Sequence, residues 1–172
     1  MKNTLNAILV CKALNLTDEQ IRNALANMQL TDMRMQLING KNDVLFINDA
    51  YNAAPTSVKA AIEFVSSTTM RSDKWLVLGD MLELGENEQA FHEQLAESID
   101  PAIISRVCLF GPRMKALFNK LTLKFDATKL IYSETDYASI IETIEKNATA
   151  ESLILVKGSR GMKLETIINT LK

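Results

Sequence analysis

From about Arg34 to the carboxyl end, short apolar runs alternate with segments of helical spacing, and few folds accept that order. The strand candidates are Met35–Ile38, Val44–Ile47, Trp75–Leu78, Val107–Phe110, Leu130–Tyr132 and Leu153–Val156. Between or after them, Val58–Val65, Glu88–Ser98, Met114–Asn119, Tyr137–Lys146 and Leu164–Leu171 read as helices. Strands alternating with helices build a mostly parallel sheet, joined by right-handed crossovers and covered by helices on both faces. Only Asn39-Gly40-Lys41-Asn42-Asp43 separates the first two candidates, a short Gly-containing loop that reads as a hairpin. The expected class is therefore α/β: a Rossmann-like, mostly parallel sheet with one antiparallel edge, over residues 34–172.

Residues 1–33 follow a different pattern. Leu5, Ile8, Leu9 and Ala13 recur at helical spacing. Thr17-Asp18-Glu19-Gln20 is a capping-box pattern that opens a second helix with Ile21, Leu25 and Met28 on its apolar face. Two short amphipathic helices cannot bury these faces on each other alone. They need a layer that this segment does not contain. At 172 residues the chain has room for one domain and such an appendage.

Charge and cysteine content exclude several classes. A formal net charge of −2 provides no electrostatic footprint for nucleic acid or an anionic membrane. Cys11 and Cys108, with His92 as the single histidine, cannot complete a four-ligand zinc site without carboxylates; buried reduced thiols of a cytosolic protein are the simpler reading. The start loosely resembles a lipoprotein signal, but Asn6 interrupts the apolar run, Val10 is not the small residue expected before Cys11, and Lys12 follows at once. No segment approaches the roughly 20 apolar residues of a membrane span. A cytoplasmic location is expected.

Three loops carry the candidate chemistry. Ile47-Asn48-Asp49-Ala50-Tyr51-Asn52-Ala53-Ala54-Pro55-Thr56-Ser57 lies where a strand's carboxyl end passes into a helix, the edge at which open α/β sheets bind ligands. Asp49 can accept hydrogen bonds from a ribose, and Tyr51 and Asn52 can hydrogen-bond or stack. Asp and Asn are also ordinary turn formers, and Pro55 suits the first turn of a helix. In Gly79-Asp80-Met81-Leu82-Glu83-Leu84-Gly85, Asp80 and Glu83 can hold an ammonium group or cap the following helix. Lys157-Gly158-Ser159-Arg160-Gly161 joins the last strand to the last helix and reads either as a carboxylate or phosphate cradle at a helix N-terminus or as a plain turn. It lacks the Gly-x-x-x-x-Gly-Lys-Ser/Thr spacing of a P-loop. Arg34 suits bidentate phosphate binding, or is an exposed hinge charge. His92 lacks the partners of a triad and reads as a supporting or surface residue.

Asp49-x-Tyr51-Asn52-Ala53-x-Pro55-x-Ser57 resembles the opening motif of the C-terminal domain of the Mur ligases. Val77–Gly85 and Val156–Met162 are similar to two further segments of the same family, in the same order. Within it, the branch joining D-alanyl-D-alanine to UDP-N-acetylmuramoyl-tripeptide is the most similar. Ala54 departs from the family's usual Asn-Ala-Asn-Pro. Tyr51-Asn52 disfavours the folylpolyglutamate-type relatives, which carry a His-Asn pair. Asn3-x-x-Asn6-Ala7 resembles the pattern near the end of the family's central ATPase domain, with Lys2 where that pattern has a His.

The resemblance implies that residues 1–33 are the terminal helices of the central domain and 34–172 the C-terminal domain, so that the chain is a fragment of a ligase. It also implies ATP as cosubstrate, with Asn3 and Asn6 at the adenine, Asp49 at the ribose, Arg34 at the phosphates, and Tyr51 and Asn52 among the nucleotide contacts. D-alanyl-D-alanine or the peptide substrate would meet Asn52, Asp80, Glu83, Lys157, Gly158, Ser159 and Arg160. Mg²⁺ ligands and the phosphate loop are expected in the central domain, the implied partner together with an N-terminal domain. No ligation by this chain alone is expected. The competing class is a stand-alone module that binds a nucleotide or a partner protein without chemistry.

Overall fold

A computed structural model describes residues 2–27 and 31–172. The chain divides into two compact units, Met1–Thr31 and Asp32–Lys172. In the first, α1 (Lys2–Ala13) and α2 (Asp18–Ala26) are joined by a tight turn in which Asn15 takes a left-handed φ of 59°. The capping box forms as the sequence predicts: the Gln20 N–H donates to Thr17 Oγ1 at 3.2 Å and the Thr17 N–H to Gln20 Oε1 at 2.9 Å. Ile21 is buried, whereas Leu5, Leu9, Val10 and Leu14 are exposed. Met28 of the expected apolar face lies outside the described residues.

The second unit is a six-stranded sheet. Its strands are β1 (Gln36–Asn39), β2 (Leu45–Asn48), β3 (Asp73–Gly79), β4 (Ile104–Phe110), β5 (Leu130–Ser133) and β6 (Ser152–Lys157). Their spatial order is β1-β2-β6-β3-β4-β5. Only β1–β2 is antiparallel, with Gln36 opposite Asn48 and Asn39 opposite Leu45; all other pairs are parallel. The predicted hairpin is present. Its turn needs positive φ at Asn42 and Asp43, 56° and 58°, which short polar side chains tolerate.

Alternate strand residues fill two cores, following the twofold repeat of a β-strand. Ile47, Leu76, Leu78, Val107, Leu109, Leu153 and Leu155 face α3 (Pro55–Ser67), α4 (Glu88–Gln94) and α5 (Met114–Leu121). Phe46, Trp75, Val77, Cys108, Phe110, Ile154 and Val156 face α6 (Ala138–Asn147) and α7 (Glu165–Leu171). The predicted helix Glu88–Ser98 is α4 continued by a 3₁₀ turn, Leu95–Ser98. Helix α3 starts from an extended Ala54, with Pro55 at the first helical position where a missing N–H is harmless. Ser57 Oγ accepts from the Ala54 N–H at 3.0 Å and donates to the Ala54 carbonyl at 2.9 Å. Alanine itself offers no acceptor to the first turn.

Two predictions follow from this packing. Ala54→Asn supplies the missing cap and should raise stability by about 1 kcal/mol, roughly 2–4 °C in a thermal melt. Cys108 is fully buried, and burial pushes its thiol up to about 12 against the weaker opposing pull of Arg106. The unfolded thiol ionises near about 8.5, so the stability tied to a neutral Cys108 is full below that pH and declines as pH rises towards the folded value. At pH 8 a thiol reagent should label only the half-buried Cys11, Cys108 reacting once denaturant unfolds the chain.

Candidate functional site

Parallel strands end on one edge of the sheet, and the chain leaves that edge towards opposite faces. From β2 and β3 it passes to α3 and α4 on one face, and from β6 between them to α7 on the other. Diverging connections open a crevice at the carboxyl ends, which is where such sheets bind ligands. The antiparallel β1 begins at the same edge, so Arg34 enters it from the side.

Asp49 extends the β2–β6 pairing by one bond, its N–H donating to the Val156 carbonyl at 2.9 Å. Its side chain then faces Lys157 at the end of β6. Lys157 Nζ donates to Asp49 Oδ2 at 2.6 Å and to the Asn52 carbonyl at 2.9 Å, and the Lys157 side chain is only 3% exposed. Asp49 Oδ1 accepts from the Met35 N–H at 3.1 Å, while the Tyr51 N–H donates to the Met33 carbonyl at 3.2 Å. Met33 and Met35 both hold left-handed φ values, 60° and 50°. Between them, the Arg34 guanidinium lies over the Tyr51 ring, 4.3 Å from its centroid. A cleft of about 300 Å³ opens here, lined among others by Arg34, Asp49, Tyr51, Asn52, Ser57 and Lys157. Arg34, Tyr51 and Asn52 are exposed on it. Wider depressions of about 500 and about 390 Å³ run along α4 and α5, lined by mixed charges without such a convergence.

The run Lys157-Gly158-Ser159-Arg160 behaves differently from the expected cradle. Lys157, Gly158 and Ser159 are buried and Arg160 alone is exposed. A Cβ on Gly158 would meet Leu164 Cδ1 at 2.7 Å and Gly79 Cα at 3.1 Å, so the glycine serves a close crossing of two strand ends. Ser159 Oγ accepts from the Leu82 N–H at 2.9 Å, and the Ser159 N–H donates to the Asp80 carbonyl at 3.0 Å. A 3₁₀ turn, Arg160–Met162, and a left-handed Lys163 separate this run from α7, which starts at Glu165, one residue after the expected Leu164. Arg160 pairs with Glu165 at 3.1 Å and touches the Met33 sulfur.

Asp80 also departs from the ammonium-binding alternative. It is fully buried, and it caps α5 rather than the helix that follows it directly: Oδ1 accepts from the Met114 N–H at 2.9 Å and Oδ2 from the Arg113 N–H at 3.2 Å. Gly111, with φ 108°, makes room for this carboxylate, since a Cβ there would lie 2.6 Å from Asp80 Cγ. Glu83 is exposed at the loop tip in a left-handed conformation, φ 62°. His92 is buried, not a surface residue: its Nε2 accepts from the Met81 N–H at 3.0 Å and its Nδ1 donates to the Glu88 carbonyl at 2.7 Å, stapling the loop to α4. Arg113 was not among the expected site residues. Its Nε donates to Glu88 Oε2 at 2.6 Å, a bond that raises its pKa, and it lies 3.6 Å from Asp80. Gly111-Pro112-Arg113 between a strand and a helix is the sequence signal for that turn. Asn6 is exposed on α1, and the side chain of Asn3 lies outside the described residues. Among the described residues no three His, Cys, Asp or Glu side chains gather as a metal site.

Removing the Asp80 carboxylate strands two backbone donors at the start of α5, while the Arg113 guanidinium keeps Glu88. Asp80→Ala should therefore cost about 2–4 kcal/mol in denaturant unfolding, and Asp80→Asn, which keeps one acceptor, clearly less. An unchanged midpoint for Asp80→Ala would rule out the capping role.

Residues 33–160 match the family model described as Mur ligase, glutamate ligase domain. The UDP-N-acetylmuramoyl-tripeptide–D-alanyl-D-alanine ligase of Bacillus subtilis (strain 168) is 38% identical over 169 residues, covering 98% of this chain and 37% of that protein. The ligase of the same name from Rickettsia prowazekii (strain Madrid E) is 38% identical over 151 residues, 84% of this chain and 31% of that protein. Among solved structures, a MurF from Acinetobacter baumannii is 28% identical with a TM-score of 0.82, covering 98% of this chain and 36% of that one. MurF ligase from Thermotoga maritima in complex with ADP is 25% identical with a TM-score of 0.73, covering 94% of this chain and 35% of that one. The chain thus spans a little over a third of the length of the Bacillus relative. With a family model matching most of its length and a relative of that identity over nearly all of it, the chain belongs to the Mur ligase family, of which it carries the C-terminal, glutamate ligase domain.

Proposed function

We propose that this chain is the C-terminal portion of an ATP-dependent ligase that adds D-alanyl-D-alanine to UDP-N-acetylmuramoyl-tripeptide in peptidoglycan synthesis. The observation that carries the reading is the convergence of Arg34, Asp49 and Tyr51 on one cleft at the carboxyl edge. A carboxylate has about four lone-pair sites, and Met35 and Lys157 occupy two of them on Asp49. The remaining two suit the vicinal hydroxyls of a ribose. Arg34 rests on an aromatic face, from which it can swing to grip phosphate oxygens with two parallel hydrogen bonds. Tyr51 then offers its face to the nucleotide.

In such a ligase the substrate carboxylate takes the terminal phosphoryl group of ATP, the dipeptide amine attacks the acyl phosphate, and the tetrahedral intermediate expels phosphate. The residues of this chain bind and orient. Asn52, Glu83 and Arg160, exposed on the same edge, are assigned to the dipeptide or peptide side; Asp80, Gly158 and Ser159 hold their loops in place. Asn3 and Asn6 are assigned to the adenine, and residues 1–33 to the end of the preceding central domain. Mg²⁺ would accompany the phosphates, with its protein ligands in the part of the ligase outside this chain. Among the described residues no helix is long and apolar enough to cross a membrane. A cytoplasmic location belongs to the same reading, since ATP is the proposed cosubstrate.

An amide chemical-shift titration tests this, with MgATP and D-alanyl-D-alanine added separately. MgATP should move Met35 and Asp49–Asn52 saturably, and the dipeptide should move residues near Glu83 and Arg160. Asp49→Asn should weaken MgATP by roughly 10- to 100-fold, as expected for a hydrogen bond to a charged group worth about 1.5–3 kcal/mol. Saturable shifts confined to the α4–α5 face, or an Asp49→Asn variant that binds MgATP like the parent, would overturn the assignment.

A further inference from the structure

Lys157 stands beside the proposed nucleotide cleft, yet its geometry does not suit a ligand contact. The side chain is 3% exposed, and two of its three N–H donors already serve Asp49 Oδ2 and the Asn52 carbonyl. Both acceptors belong to the turn that leaves β2, the strand beside β6. The bond to Asp49 fixes one carboxylate oxygen, and the other then faces the Met35 N–H. Met35 and Met33 flank Arg34 in left-handed conformations that persist only where surrounding contacts over-determine them. A connected path therefore runs from Lys157 through Asp49 and Met35 to the guanidinium over Tyr51. Charge follows the same path. Lys157 neutralises Asp49 and leaves Arg34 as the excess positive charge facing an incoming polyphosphate.

We propose that Lys157 is a positioning residue. It touches no substrate; through its ion pair with Asp49 and its hydrogen bond to the Asn52 carbonyl it presents Asp49 and Arg34 to a nucleoside polyphosphate. The identity of the ligand rests on the function proposed above, whereas the positioning of the turn does not.

The test is a double-mutant cycle on the full chain, with ADP as probe in calorimetry and thermal melting in parallel. Lys157→Met should weaken ADP about tenfold or more, because it leaves the partly buried Asp49 carboxylate uncompensated opposite the phosphates. Asp49→Asn should weaken it as well, and Lys157→Met should cost nothing further in the Asp49→Asn background. A purely structural role would lower the melting temperature without this loss of additivity. Lys157→Met binding ADP as the parent does, or losses that multiply in the double variant, would overturn the proposal. Lys157→Gln, which keeps a donor, replaces Lys157→Met if the latter does not fold. If the parent itself binds no ADP, the nucleotide reading fails, and hydrogen exchange decides the positioning role alone. The Met35 amide should then exchange at least about tenfold faster in the Lys157 variant, as expected when its charged acceptor is no longer held. Unchanged Met35 protection would refute positioning.

Discussion

The insertion of the last strand, β6, between β2 and β3 is the constraint on which the rest of the second unit depends. A strand paired on both sides and covered on both faces has no route to water for its side chains. Leu153, Ile154, Leu155 and Val156 are accordingly all fully buried. Such burial contributes roughly 1.5–3 kcal/mol per large aliphatic side chain. The insertion also brings residues far apart in sequence into one turn region: Lys157 meets Asp49 on one side of β6, and Gly158 meets Gly79 on the other.

Two carboxylates leave neighbouring regions of this edge with opposite fates. Asp80 turns inward, is fully buried and spends both oxygens on the backbone opening α5. Asp49 keeps free lone pairs and borders a cleft. The difference comes from what surrounds each one. Gly111 opens a space that admits the Asp80 carboxylate, whereas Lys157 and the Met35 N–H hold Asp49 at the rim. A carboxylate at a strand end is thus either spent as a cap or left open to a cleft, according to the shape of the neighbouring loop.

The sheet was legible because its signal is local. Apolar runs of three or four residues separated by helical spacing located every strand and α-helix of the second unit to within about three residues, once α4 is counted with its 3₁₀ continuation. Gly40 with the polar residues after it marked the antiparallel edge. Thr17 and Gln20 marked their helix for the same reason, since a cap is a contact across three residues. His92 and Asp80 were not legible in this way. The partners of His92 lie on the preceding loop and its own helix, and those of Asp80 lie on a helix that starts 34 residues later. Gly111-Pro112 marked the turn before α5, but the partners of Arg113, Glu88 and Asp80, lie 25 and 33 residues earlier and leave no local trace.

Sequence alone determined the class of this chain. Its order of strands and helices and the Asp49–Ser57 motif suffice for an α/β domain with a polar turn at the carboxyl end of a strand. Only the tertiary structure decided which edge residues face outward. Lys157, Gly158 and Ser159 look like an exposed loop when read along the chain, yet the close approach of β2, β3 and Leu164 buries them. The physical reason is that burial and the pairing of charges depend on non-local neighbours, whereas secondary structure at this level is written in the spacing of adjacent residues.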